Sequence, residues 1–153
     1  PPPVVRAARV GDAEAISVLS TSLSRYVLAD PDHPEAAAEF FRTLAPDAVR
    51  ERLESDWFRY HVAEVEGVLA GVVGMRDAGH LYHLFVAEPF HGRGIAAALW
   101  DVARREALAQ GNPGAFTVNS SRHAIPVYQR FGFTPTDSLQ VGDGIAWLPM
   151  RRG

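Results

Sequence analysis

The sequence predicts an α+β arrangement within the α/β class. A single domain over residues 1–153 would carry a mixed, mostly antiparallel central sheet of about six to seven strands, with helices on both faces. Three observations carry that expectation. A length of 153 residues with 47% hydrophobic content suits one domain able to bury a core. Helical patterns cluster early and give way to an alternating hairpin. The second half then reads strand, helix, strand, helix, strand.

Taken in order, Val4–Val10 is a first strand. Asp12–Leu28 is helical, with Asp12 placed to cap it. Asp30-Pro31-Asp32-His33-Pro34 breaks the chain, Glu35–Leu44 forms a second helix, and Pro46–Ser55 adds a turn or two. Tyr60–Val65 alternates, Glu66-Gly67 turns, and Val68–Met75 returns as a hairpin partner. Leu81–Val86 is the next strand, followed by a helix from about Gly94 to Ala109. Ala115–Val118, a helix over Ala124–Phe131, and strands at about Phe133–Val141 and Ile145–Met150 complete the set. No repeat or low-complexity run interrupts it.

Composition excludes several kinds of chemistry. With no cysteine there are no disulfides, no thiol nucleophile and no cysteine-based zinc site. No run of 18 apolar residues is present, so no membrane helix is expected. No basic segment leads into an apolar one at the start, so no signal peptide is expected, and a cytoplasmic location is the default. The opening Pro1-Pro2-Pro3, without an initiator methionine, suggests a trimmed end. Residues 1–80 hold 13 acids and 8 arginines, a net of −5, whereas residues 81–153 hold 5 and 7, a net of +2. That asymmetry suits a polyanionic ligand on the second half and a cationic one near the acids of Asp30–Asp56. No basic stripe of the kind nucleic-acid binders carry is present, so neither nucleic acid nor membrane is an expected partner.

The most informative stretch is Leu81–Ala109, where an apolar strand turns at Glu88-Pro89 into His91-Gly92-Arg93-Gly94-Ile95-Ala96 and then a helix. Glycines ahead of a helix start aim free backbone N–H groups at one spot, a cradle for phosphate or pyrophosphate to which Arg93 adds charge. An ordinary strand–turn–helix connection is the alternative. Gly92-Arg93-Gly94-Ile95-Ala96-Ala97 also satisfies G-x-G-x-x-G/A, the dinucleotide fingerprint of a nicotinamide-dependent oxidoreductase. That reading needs an acid about 20 residues on, and Gly111–Asn119 contains none. A P-loop is excluded because the chain has no lysine.

A second segment sharpens the choice. Asn119-Ser120-Ser121-Arg122-His123-Ala124-Ile125-Pro126-Val127-Tyr128 continues to Gly132-Phe133. Together the two segments resemble the GNAT superfamily of acyl-CoA-dependent N-acetyltransferases. His91-x-x-Gly94-x-Ala96 corresponds to that family's [Q/R]-x-x-G-x-[G/A] signature. Asn119, Ser121, Ala124, Val127, Tyr128, Gly132 and Phe133 stand in register with its later segment. One departure is His91, where the family usually carries Gln or Arg.

The resemblance implies acetyl (acyl) transfer from acetyl-CoA to a primary amine, by direct attack in a ternary complex. It implies that the Leu81–Val86 strand bulges and splays from the Ala115–Val118 strand, with the pantetheine in the gap. Phe85 and Val86 are the expected backbone partners of the thioester arm. His91, Gly92, Arg93, Gly94, Ile95 and Ala96 would hold the pyrophosphate, and Asn119 the pantetheine amides.

Tyr128 is expected to be the acid for the leaving thiolate, against the alternative of a core tyrosine beside Phe131 and Phe133. His83 is the first candidate for a base because histidine titrates near neutrality, although a buried structural histidine is an equal reading. Strand alternation puts it on the face of Leu81 and Phe85, unless a bulge changes the phase. Glu64 and His80 come next, and ordered water with no single base is also open. His80 and His83 are three apart on a strand and make a poor metal pair, so no metal is expected. A catalytically silent acyl-CoA-binding sensor is the alternative function. The acceptor is a small-molecule or peptide amine, and the resemblance is compatible with a homodimer.

Overall fold

The computed structural model describes residues 2–153. Its eight strands are β1 (Val4–Ala7), β2 (Phe58–Val65), β3 (Val68–Arg76), β4 (His80–Val86), β5 (Phe116–Ser120), β6 (Thr134–Pro135), β7 (Gln140–Gly142) and β8 (Ile145–Arg152). They run in the order β1-β2-β3-β4-β5-β8-β6, with β7 paired to β8. Every pairing is antiparallel except β4 with β5. The mixed, mostly antiparallel sheet expected from the sequence is therefore present, with one strand more than the upper expectation.

Five helices cover the sheet: α1 (Ala13–Ser22), α2 (Ala38–Leu44), α3 (Pro46–Glu54), α4 (Ile95–Ala109) and α5 (Ile125–Arg130). On one face, Ile95, Leu99, Trp100 and Ala103 of α4 pack with Tyr128 of α5 over Val73, Met75, Phe116, Val118 and Met150. On the other, Ala13, Ile16 and Leu19 of α1 and Val49 of α3 cover Tyr60, Val62 and Val72. Each fully buried leucine or phenylalanine in these layers, Leu99 and Phe116 among them, contributes about 1.5–3 kcal/mol. Gly71 is where α4 comes closest, since a Cβ there would sit 2.9 Å from Leu99 Cδ1.

Several boundaries differ from the sequence reading for identifiable reasons. The first helix stops at Ser22, not Leu28. Its last residues are serine and threonine, whose hydroxyls compete for backbone groups, and Ser22 Oγ donates to Leu19 C=O at 2.6 Å. Beyond it, Leu28 bridges to Ile145 of β8. Asp12 does not cap that helix. Its carboxylate accepts two bonds from the Arg6 guanidinium, both 2.9 Å, and one from the Arg9 N–H at 2.7 Å. The Arg6 contact accordingly holds the Asp12 carboxyl below the usual range. Pro46–Glu54 is a full helix with proline in its first turn, where the missing N–H costs nothing. The strand expected over Phe133–Val141 is divided into β6 and β7 by a loop in which Ser138 N–H donates to Asp137 Oδ1 at 2.7 Å.

Two features position the site. In the β3–β4 ladder Gly74 pairs with His83 and Met75 with Leu81, which leaves Tyr82 as an extra residue. This is a β-bulge in β4, and it reverses the side-chain phase of the strand. Second, β4 and β5 pair only at His80–Thr117 and Leu81–Val118 and then separate. The tip of the β7–β8 hairpin also docks on the first loop: Ala29 N–H donates to Gly144 C=O at 2.9 Å and Ala146 N–H to Val27 C=O at 3.0 Å. Gly144 has φ +78°, and a Cβ there would lie 2.4 Å from the Ala36 carbonyl carbon.

Candidate functional site

A cleft of about 810 Å³ opens where β4 and β5 part. It is lined by β4, by the start of α4, by Phe40 and Thr43 of α2, and by Asp143 and Trp147 of the last hairpin. Asn119 and Tyr128 face it from β5 and α5.

The α4 end is built from backbone. Gly92 and Gly94 take φ of +77° and +76°, a left-handed conformation that costs other L-residues about 1–2 kcal/mol. Gly94 precedes α4, and no side chain caps the helix. The first N–H groups of α4 therefore lack side-chain partners and, with the positive end of the helix dipole, face a cleft lined by Gly92, Gly94, Ile95, Ala96 and Ala97. Arg93 is exposed, with its guanidinium 5.3 Å above the Phe90 ring, and it is not among the residues that line the cleft.

The strand end qualifies two of the expected contacts. Ala87 N–H donates to Ala70 C=O at 2.8 Å, and antiparallel alternation then turns the backbone groups of Phe85 towards β3 as well. Leu84 and Val86, rather than the expected Phe85 and Val86, therefore turn their amides to the gap. His91 Nε2 lies 2.6 Å from the Val86 carbonyl oxygen, so Nε2 is the donor and the ring is turned onto the strand end.

Tyr128 is buried, with its ring edge-on to Phe131 and Phe133. It lines the cleft, and no described residue hydrogen-bonds its hydroxyl. Burial pushes its ionisation well above the ordinary phenol range, so it holds its proton at neutral pH. Asn119 is exposed in the gap.

The base candidates fare differently. The bulge at Tyr82 moves His83 and Phe85 to the face opposite Leu81, so His83 does not share the Leu81 face. His83 is 8% exposed, and burial together with the nearby Arg52 charge lowers its pKa to about 3. The expected titration near neutrality is absent. Passing a proton to it from an alkylammonium of pKa about 10.4 costs about 10 kcal/mol. Glu64 is held by Arg6 at the far edge of the sheet. His80 pairs with Thr117 Oγ1 at 2.8 Å and is also lowered by burial.

The sequence reading missed the surroundings of His83. Arg52 Nε donates to Tyr60 Oη at 2.9 Å, and Tyr60 Oη lies 3.2 Å from His83 Nδ1. It also missed a stacked pair in the cleft wall. Tyr26 stacks on His123 with centroids 4.0 Å apart, and Arg25 lies over Tyr26 while pairing with Glu88 at 2.6 Å. No local pattern announces either group, because His83 lies 23 residues beyond Tyr60 and His123 lies 97 beyond Tyr26. Among the described residues no helix is long and apolar enough to cross a membrane.

Comparison with known proteins agrees with this geometry. Residues 28–152 match the family model described as an acetyltransferase (GNAT) domain. An acetyltransferase of Agrobacterium fabrum, Atu2258, is 39% identical over 89 residues, which span 55% of this chain and 65% of that protein. A GCN5-related N-acetyltransferase structure from Rhodopseudomonas palustris superposes with a TM-score of 0.80 at 20% identity, covering 99% and 96% of the two chains. The PaiA N-acetyltransferase of Thermoplasma acidophilum, solved in complex with coenzyme A, does so at 0.82 with 12% identity, covering 98% of each. The chain belongs to the GNAT acetyltransferase domain family.

Proposed function

We propose that this GNAT-family chain transfers an acetyl group from acetyl-CoA to a primary amine on a small molecule or peptide, by direct attack in a ternary complex, with residues 1–153 acting as one unit. The observation that carries the reading is the parting of β4 from β5 beside an uncapped, glycine-led helix start. A pantetheine arm is a thin, amide-bearing strand-like chain, and a gap edged by free strand amides receives it. The α4 amides and the helix dipole suit the pyrophosphate, whose charge needs no metal at such a position.

The chain's own groups then have separate tasks. The Leu84 and Val86 N–H groups hold the thioester arm and stand where carbonyl charge develops. Asn119 orients the pantetheine amides. Tyr128 keeps its proton and gives it to the departing sulfur. Proton loss from the amine falls to water in the cleft, because His83 is a poor acceptor and Glu64 is elsewhere. With no cysteine in the chain, direct attack replaces an acyl-enzyme route.

The test is acceptor-dependent thiol release over a panel of amines, run beside calorimetric titration with acetyl-CoA. Binding with release for at least one amine is the expected result. Absence of binding overturns the reading; binding with no release over a broad panel favours an acyl-CoA sensor. Tyr128→Phe should lower kcat about 10²–10⁴-fold with little change in acetyl-CoA affinity. Unchanged turnover would remove Tyr128 as the acid.

A further inference from the structure

The buried line Arg52, Tyr60, His83 has no part in the steps above, yet its last member lines the cleft. A guanidinium donates and never accepts, so Arg52 Nε occupies one lone pair of Tyr60 Oη at 2.9 Å. Burial pushes the Tyr60 phenol up to about 12, so its proton is in place at neutral pH. Among the described residues, His83 Nδ1 at 3.2 Å is the acceptor within reach of that proton. A neutral imidazole that accepts at Nδ1 carries its own proton on Nε2. Among the described residues none hydrogen-bonds His83 Nε2.

We infer that Arg52 and Tyr60 lock His83 in the Nε2–H tautomer, making it a fixed hydrogen-bond donor that orients an oxygen of the bound substrate rather than a base. Tyr60 and Arg52 are positioning residues; His83 is the one that meets the ligand. Its kinetic consequence, though not the tautomer itself, rests on the acyl-transfer reading.

Two further observations show that the line is built. Tyr60 and His83 both pair with Gly74, on either side of β3. The Tyr60 ring lies across that glycine, where a Cβ would come within 2.5 Å of its Cε1. Glycine at position 74 is what lets a β2 phenol reach a β4 histidine across the intervening strand. Arg52, for its part, is buried without a carboxylate partner among the described residues. Thr43 C=O accepts from it at 2.7 Å, and it lies 5.2 Å over the Tyr82 ring. A lone buried cation is costly to keep, and here its charge acts on His83 against protonation. The aromatic rings packed on His83 are those of Tyr60, Tyr82 and Phe85.

The test is long-range ¹H–¹⁵N correlation of the His83 ring in the intact chain from pH 5 to pH 8. The expected spectrum has Nε2 protonated, Nδ1 in the acceptor range, and no titration. In Tyr60→Phe the ring should become a mixture of tautomers. A proton on Nδ1, or a midpoint between pH 5 and 8, overturns the inference whether or not the chain turns over any amine. Once an acceptor is known, His83→Ala should lower kcat/KM about 10²-fold or more, and His83→Gln, which keeps an N–H donor, should recover at least about tenfold of that. Equal activity of His83→Ala and the parent would also overturn it.

Discussion

At the α4 end of the cleft, the groups offered to a ligand are backbone amides from one continuous stretch, residues 84–97. At the His83 end it is one side chain, held in place by others from α3 and β2, and the three stand 31 residues apart at the extremes. The first end depends on conformation and tolerates varied side chains, provided the glycines keep their positive φ. The second depends on identity, because each polar atom satisfies the next inside a dry interior. An error at the first should show in binding, and an error at the second in folding stability and orientation.

The largest effect that sharpens this contrast is a pH dependence. His83 is held neutral in the folded chain with a pKa of about 3, whereas in the unfolded chain it titrates near 6.5. Between those values the unfolded state binds more protons, so stability falls as pH drops through that window. The loss amounts to up to about 5 kcal/mol at the lower limit. Urea denaturation at pH 7 and pH 4.5 should show the decline, and His83→Gln should flatten it. A histidine variant with the same slope as the parent would mean that other groups dominate.

Next in size is Gly74→Ala. The added methyl meets the Tyr60 ring, and overpacking of this kind costs about 1–3 kcal/mol. The chevron or melt should record that loss while calorimetric acetyl-CoA affinity stays near the parent value. Affinity loss matching the stability loss would show that the two ends are not separable. The smallest effect is the mirror case, Gly94→Ala. A Cβ there meets nothing within 4 Å, so the penalty is only that of φ +76°, about 1–2 kcal/mol, read mainly as roughly tenfold weaker acetyl-CoA binding. An unaffected affinity would count against the loop as the phosphate cradle.

The same contrast explains what could be read from the sequence. The glycine-led helix start was legible because its glycines, first helical residues and preceding strand are adjacent in the chain. The β4 bulge was inferable only through family resemblance, since nothing in Leu81-Tyr82-His83 marks an extra residue; without it the phase of His83 comes out reversed. Arg52 and Tyr60 were invisible as partners. Arg52 reads as one more charge in the turn or two over Pro46–Ser55 and Tyr60 as one more alternating strand residue. Gly74 held the available signal, a glycine mid-strand where a neighbouring ring passes close, but the ring's owner depends on cross-strand register. Helix ends were misplaced where tertiary contacts intervene, as at Leu28, which leaves the helix to pair with Ile145.

The docking of Gly144 against Ala36 and Ala37 has a consequence for exchange of parts between related proteins. The segment leading into α2 and the tip of the last hairpin both run into residues that line the cleft, from sequence positions more than 100 apart, and fit each other backbone to backbone. Neither can be lengthened or transplanted alone without losing its seat. Any chimera that aims to reshape this part of the cleft has to move the segment around Asp30–Leu44 together with the segment around Gln140–Trp147, as a lock is changed with its key.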